Sequence, residues 1–456
     1  MERFNGTGPR ETNDMETEIS TSVRELEGKE TRGLEADIKA WAIQGAARFE
    51  QVWAFQDYWK RSNTFHSFLR FVDSAEQRWG RSDPDLKPMQ LLRTEMIGQN
   101  AAYFRQYIGG QGVWVDDYGW CGLSCIAARN YLQSIGDEVG AQEYAGLAVD
   151  CWNQMKATGY DSTISATPVP HGCGNVSPER KKSGGGFGTK NTVTNANLLL
   201  LSLQLYFLDR EAQYKEMVAS QLAWFAAWFS KPYASLDDGP YLRTLPGPLS
   251  LIHERPLAEK SYVQKDFPDW ERGWVWTGDQ GLMLMALAQV VSTGLEVPGV
   301  DATVFRNVFV AMTAGVETLM FGGDDKVLRE PPFDSSFASN YAPDYVGGRG
   351  VLLRYVSEPV VQNVLGRPVA RAGVLATAQA VWNSRDKGPD PNHDLAQFTP
   401  LWNAAGDAAY NRKFVNVWGD GDADITEWEL VPANYYGVLQ ANGLDALTAA
   451  IRLAAA

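Results

Sequence analysis

Residues 132–149, LQSIGDEVGAQEYAGLAV, and residues 205–220, LYFLDREAQYKEMVAS, are two versions of one local pattern. In each, an apolar helical run stops, the chain turns through an Asp, and the next run opens with a Tyr. A short acidic turn between two amphipathic runs is the signature of a helical hairpin, because Asp serves both as turn residue and as acceptor for the unpaired amides of the next helix. Outward from these two stretches the same periodicity continues. From Ile38 onward apolar residues recur at spacings of three and four, and no segment alternates with period two for long enough to build a sheet. The spacing predicts helices near 38–58, 62–80, 89–108, 118–134, 138–157, 191–208, 211–229, 279–292, 301–320, 346–357, 368–384, 400–416 and 428–452, enough for about six hairpins.

The connections between these helices alternate in length. Short turns follow some helices and long Gly- and Pro-rich loops follow others, notably 159–190, 231–277 and 322–346. If the hairpins close into a ring, the short turns fall on one end and the long loops on the other, and long ordered loops on one face are where function is expected.

Composition narrows the partners. The chain has 456 residues, 45% of them hydrophobic, ample for a large core. Lys and Arg number 41 against 55 Asp and Glu, a formal net charge of −14, which repels nucleic acid and acidic membrane surfaces and favours neutral partners. Aromatic residues reach 12% with 16 Trp, a surplus of indole that suits a carbohydrate cleft, although for any single Trp a place in a helical core is the commoner role. Residues 1–37 are polar and charged and are expected to be peripheral, with 38–456 forming one catalytic unit. No apolar run resembles a signal peptide or spans a membrane, so a cytoplasmic location is expected as the chain stands, or a secreted one if its start follows processing. A monomer is expected. Cys121, Cys125, Cys151 and Cys173 are too few for a disulfide scaffold and are expected to be core thiols.

The stretch 112–124, GVWVDDYGWCGLS, sets Asp116 and Asp117 side by side among Trp114, Tyr118 and Trp120. Adjacent anions in apolar surroundings cost stability, and glycoside hydrolysis supplies a reason to accept that cost. It needs one carboxyl that is protonated, one that is ionised, and flat apolar faces for pyranose rings. The alternative is that both aspartates are helix N-terminal anions held by the macrodipole.

The blocks DDYGWCGLSCIAARNYLQSIGD, GGGFGTKNTVTNANLLLLSLQLYFLDREAQY, DDGPY, WTGDQGLMLMALAQVV and GRGVLLRYV, collinear between about residues 45 and 420, resemble glycoside hydrolase family 76, the α-1,6-mannanases. The resemblance implies an all-α (α/α)6 barrel, a toroid of helical hairpins that cleaves α-mannosidic bonds with retention and needs no cofactor and no metal. It implies Asp116 as nucleophile and Asp117 as general acid/base. It also implies a substrate site drawn from Trp114, Trp120, Asn191, Asn195, Asp238, Trp276, Asp279 and Gln280, with Gly184 to Gly186 letting backbone approach an oligo- or polysaccharide. Each Asn has a structural alternative as a helix cap. The chain departs from the family at Gly278-Asp279-Gln280-Gly281, where members read Tyr-Asn-Gln-Gly, and at Cys121, where members have a second Trp. Those departures bear on the substrate pocket.

Other signals are weaker. Asp420, Asp422 and Asp424 begin a stretch like a calcium loop, but Ile425 stands where the turn requires Gly. The four histidines, His66, His171, His253 and His393, show no ligand spacing, which disfavours an isomerase or epimerase on the same toroid. A carbohydrate-binding protein that has lost turnover is the remaining rival.

Overall fold

The computed structural model describes residues 34–55, 57–162, 172–188, 190–229, 242–244, 249–254, 275–296, 298, 301–330, 347–390, 393–400, 402 and 433–454. Its long helices are α1 (34–47), α2 (Tyr58–Trp79), α3 (Lys87–Tyr107), α4 (Val115–Ser134), α5 (Glu138–Thr158), α6 (Thr192–Asp209), α7 (Ala212–Phe229), α8 (Thr277–Thr293), α9 (Ala302–Gly315), α10 (Gly348–Val356), α11 (Arg371–Asn383) and α12 (Tyr436–Ala454). Strands β1 (Leu242–Thr244) and β2 (Ser250–Ile252) form one antiparallel pair between α7 and α8.

Most elements fall where the periodicity puts them, and the differences have local causes. The helix expected over 38–58 begins at 34, inside the segment expected to be peripheral, and Leu34 packs on the core. It breaks before Tyr58 because Asp57, in extended conformation, caps α2 by accepting from the Lys60 amide at 3.4 Å. Asp137 caps α5 in the same way, accepting from Gly140 N at 2.9 Å, after Gly136 turns the chain at φ 81°. At its end α9 widens into a π turn, Val316–Met320. Most of the helix expected at 400–416 and the start of that expected at 428–452 lie outside the described residues, as do Asp238 and the calcium-like stretch.

Helices of even and odd number bury themselves differently. Along α8 every residue from Thr277 to Val290 is buried, and along α6 every residue from Thr192 to Leu203. By contrast α5 buries one stripe, Ala141, Tyr144, Leu147, Ala148, Cys151, Trp152, Met155 and Thr158, and leaves its other residues exposed or partly exposed. A helix buried all round belongs inside and a striped helix covers it. Accordingly α2, α4, α6, α8, α10 and α12 pack each on the next and α12 returns to α2, a closed inner ring, while α3, α5, α7, α9 and α11 lie against its outer side.

The long loops enter the inner helices at their N-termini, and contacts place those N-termini together at one end. Tyr58 of α2 meets Tyr118 of α4 edge-on at 6.0 Å. The 173–175 segment joins α4 to α6, β2 and Glu254 join α6 to α8, and Trp276 before α8 lies on Gly348 of α10. Asn442 of α12 accepts from Gly350 N of α10 at 2.7 Å, and the Lys60 ammonium of α2 sits 3.8 Å from the centre of the Tyr435 ring before α12. Deeper in the ring, Arg354 of α10 donates to Asp445 of α12 at 2.8 Å and to Asn63 of α2 at 3.1 Å, a fully buried tie between three inner helices.

Candidate active site

The paired aspartates occupy the second and third positions of α4. Trp114 is the N-cap, with extended backbone, and Val115 opens the helix and is buried. Asp117 reaches back to accept from Trp114 N at 3.3 Å. Asp116 accepts from the Asp117 amide at 3.0 Å through Oδ1 and from Asn175 Nδ2 at 2.8 Å through Oδ2, while its own amide donates to Asn175 Oδ1 at 3.4 Å. Both aspartates are partly exposed and lie in the first turn of the helix, where the macrodipole favours acidic side chains. Trp114 is partly exposed too, with the Arg180 guanidinium 5.1 Å from its ring centre.

Asn175 is held from behind. Residues 172–174 pair with 159–161, Gly174 N donating to Gly159 O at 2.9 Å and Asp161 N to Gly172 O at 3.2 Å. Where Gly174 and Gly188 stand, a side chain would collide with backbone: a Cβ would lie 1.8 Å from Phe187 O in one case and 2.1 Å from Asn175 O in the other. Gly184 to Gly186, the glycines singled out from the sequence, form an exposed turn instead. The close backbone approach is at Gly174 and Gly188.

Asn195 on α6 has both ends of its amide committed to backbone. Its Oδ1 accepts from Cys173 N at 2.7 Å, and its Nδ2 donates to Cys173 O at 2.8 Å and Asn191 O at 2.7 Å. Asn191 is the N-cap of α6 and donates to Glu254 Oε1 at 2.8 Å. Glu254 supplies the capping carboxylate itself, accepting from Val193 N at 3.1 Å, while its carbonyl accepts from Thr192 N at 2.7 Å. These two asparagines thus tie α6 to the 173–175 segment and to Glu254.

The N-terminus of α8 is built on the same plan. Glu330 accepts from Thr277 N at 2.7 Å and from the Thr277 hydroxyl. Complete burial pushes its pKa up to about 8, against the lowering by the Thr277 donors and the Arg349 charge. Gln280 accepts from Ile252 N at 2.9 Å and donates to Ile252 O at 2.8 Å and Trp276 O at 3.0 Å, so it fixes β2 to the helix. Asp279 is fully buried. Trp276 and Trp120 are 93% buried and meet edge-to-face at 6.2 Å, packed on each other across the ring instead of offering free faces. Gly278 has its reason here: the Trp276 indole folds back over the first turn of α8, where a Cβ at residue 278 would lie 2.5 Å from it.

Cys121 faces the core and not the mouth. It is fully buried, as are Cys125, Cys151 and Cys173, all four are free, and burial raises the pKa of each thiol. His66 is buried, its pKa pushed well down by burial and by Arg354 and Arg70; His253 is buried and His393 exposed, while His171 lies outside the described residues. Among the described residues no cluster of His, Cys, Asp or Glu is placed to hold a metal ion, and no helix is long and apolar enough to cross a membrane. Sequence reasoning missed Asn175, Glu254 and Glu330. Only the last two carried a signal, as acids in long loops that return to a helix start.

By sequence, no family model matches the chain and no curated protein matches it. By structure, it is similar over 91% of its length, and over 99% of the other chain, to the α-1,6-mannanase GH76A of Salegentibacter sp. HEL1_6, at a TM-score of 0.51 and 14% identity. The fold is that of glycoside hydrolase family 76. An inactive variant of the Salegentibacter family 76 enzyme, with two consecutive aspartates changed to asparagine, has been solved with α-1,6-mannotriose, and superposes with a TM-score of 0.52 at 14% identity over 91% of this chain and 99% of that one. Dfg5 from Chaetomium thermophilum, in complex with glucosamine, is similar over 92% of this chain and 89% of its own at a TM-score of 0.55 and 14% identity. A family 76 mannosidase from Bacteroides thetaiotaomicron is similar over 91% and 98% at 0.52 and 11% identity. The family 76 architecture, a ring of helices with little strand, is thus shared while most side chains differ.

Proposed function

We propose that this chain is a glycoside hydrolase that cleaves α-mannosidic bonds, α-1,6 bonds foremost, by a retaining mechanism with Asp116 and Asp117 as its carboxyl pair. The observation that carries the reading is the position of these two side chains. They stand at the end of the ring where the inner N-termini converge, and they keep contact with solvent while Glu254, Asp279 and Glu330 at the same end are buried. The family 76 fold, and the mannotriose complex of a relative altered at two consecutive aspartates, support the same assignment.

In this reading Asp116 is the nucleophile. Two N–H donors, Asn175 Nδ2 and Asp117 N, suit an ionised carboxylate that attacks the anomeric carbon. Asp117 protonates the leaving oxygen and then, as a base, takes a proton from the water that releases the sugar, so the anomeric configuration is restored. The mechanism requires Asp117 to carry a proton while Asp116 is ionised. Trp114 and its Arg180 neighbour form the rim that a sugar chain would cross.

The test is digestion of α-mannans and manno-oligosaccharides with products resolved by size and anomeric form. Release of α-anomeric product is expected, with Asp116→Asn lowering turnover by several orders of magnitude on every substrate. Asp117→Asn should spare aryl mannosides with acidic phenols, whose leaving group needs no proton. A parent that releases nothing from any α-mannan overturns the hydrolase reading. Saturable binding without release would leave the binding protein in its place.

A further inference from the structure

We infer that Asn175 is the positioning residue of the carboxyl pair: it fixes the rotamer and the charge of Asp116, and Asn195 acts on the site through it. The inference rests on the assignment of Asp116 as nucleophile. Its geometry is a double contact. The Asn175 amide grips Asp116 at two points, donating to Oδ2 at 2.8 Å and accepting from the backbone amide at 3.4 Å. The first bond fixes which way the carboxylate faces, and the second ties that direction to the start of α4.

The grip is only as firm as the segment that carries it. Two residues back, Cys173 is clamped by Asn195 through both its N–H and its C=O, at 2.7 and 2.8 Å, and the next residue pairs with Gly159. In extended chain, residues two apart present their side chains on the same side and repeat about every 7 Å, so locking Cys173 sets where Asn175 stands. The glycines at 174 and 188, which bring this segment within contact of residues 187–188, remove the remaining slack. A chain of amides thus runs from α6, through 173–175, to Asp116 on α4. Asn195 is the anchor of this relay, which explains why an amide at the mouth of the ring spends its hydrogen bonds on backbone.

A neutral amide suits this position because it can donate without adding charge. Lys or Arg there would pair with Asp116 and compete with a developing positive centre, while Asp or Glu would repel it. The charged groups of the surrounding elements are already engaged. Lys181 donates to the last carbonyls of α5, Ala157 O at 3.2 Å and Thr158 O at 2.6 Å. Lys190 pairs with Asp161 at 2.9 Å, and Arg180 lies over Trp114. Asp117 is the neighbour on the same helix. Cys173, buried with the Asp116 charge near it, holds its thiol proton and adds no second anion.

The experiment compares Asn175→Ala, Asn175→Asp and the exchanged pair Asp116→Asn with Asn175→Asp, each checked for folding by circular dichroism. On a mannoside that the parent hydrolyses, Asn175→Ala should lower kcat by about 10- to 100-fold, the weight of one charge-assisted hydrogen bond, with KM changed less than about threefold. The acidic limb of its kcat/KM profile should move up by about one pH unit, since the carboxylate has lost a donor. A residue that merely packs would lower stability and leave that limb in place. A folded Asn175→Ala with the parent's kcat and pH profile overturns the inference while leaving the hydrolase assignment standing. The stability of the same variants reads the contact without any turnover. Asn175→Asp should lose stability as the pH rises through the carboxylate range, and the exchanged pair should regain it, because an amide then faces a carboxylate again. Equal pH dependence in the single and exchanged variants overturns the pairing, even if the parent proves to have no activity.

Discussion

Gly278→Ala is the substitution that most directly probes how the mouth of the ring is built. Ala is normally the better helix residue, worth up to about 1 kcal/mol over Gly. Here the added Cβ would lie 2.5, 2.5 and 2.7 Å from three atoms of the Trp276 six-membered ring, where real Cβ atoms stay beyond 3.0 Å. The indole would have to retreat by about half an ångström or more, and it is blocked on the far side. A Cβ at Gly348 would lie only 2.2 Å from Trp276 Nε1, so the ring fills a slot between two glycines, and the Trp120 ring closes it at 6.2 Å. Overpacking of such a site costs about 1–3 kcal/mol, and its upper half is expected because neither neighbour can yield. After the helix gain is subtracted, Gly278→Ala should destabilise by about 1–2 kcal/mol. Gly146→Ala, on the exposed face of α5 with nothing within 4 Å of its Cβ, should instead stabilise by about 0.5–1 kcal/mol. Urea unfolding followed by far-ultraviolet circular dichroism measures both. In a Trp276→Ala background, itself costing about 3–5 kcal/mol, the Gly278→Ala penalty should vanish, a coupling of about 2 kcal/mol. If Gly278→Ala stabilises as much as Gly146→Ala, the indole does not occupy the slot, and Trp276 is free to act as a sugar platform after all.

Two further expectations concern buried carboxyls. Glu330 has a pKa near 8 in the folded chain against an ordinary value of 4.5, so its stabilising contribution is complete below about pH 4.5 and is lost as the pH rises towards 8. Glu330→Gln should flatten the fall in unfolding free energy between pH 5 and 8 by up to about 4 kcal/mol, and parallel curves for parent and variant would exclude this role. Asp445→Ala should cost about 3–5 kcal/mol because it strands the buried Arg354 guanidinium, and a loss under 1 kcal/mol would show that the ion pair is not what joins α10 to α12.

The sequence by itself determined most of the helices, and, with the burial of the structure in hand, their two kinds can be traced back to it. The apolar run of NANLLLLSLQL in α6 and GLMLMALAQVV in α8 cannot be satisfied on one face, while the stripe in EYAGLAVDCWNQM of α5 can, which is the physical reason the first two lie inside and the third outside. Alternating loop lengths did the same for the two ends of the ring, since a two- or three-residue turn such as that after α4 can only join antiparallel neighbours. The aspartate pair stood out in the sequence because adjacent acids among aromatics are costly, and its place in the first turn of α4 is what the structure adds. What the sequence could not assign was the work of the neutral polar residues. Asn195 and Gln280 have the chemistry of sugar binders, and nothing local distinguishes that from gripping a backbone segment that arrives from 22 or 28 residues away. The same holds for Trp120 and Trp276, whose indoles suit a pyranose and suit each other equally well. Only the tertiary structure decided these cases, because hydrogen bonds and ring contacts are short-ranged and their partners are chosen by how the long loops fold across the ends of the inner helices. Asn175 is the extreme of this. It sits in a loop without periodicity, and its meaning lies in the 59 residues of chain that must fold before it meets Asp116.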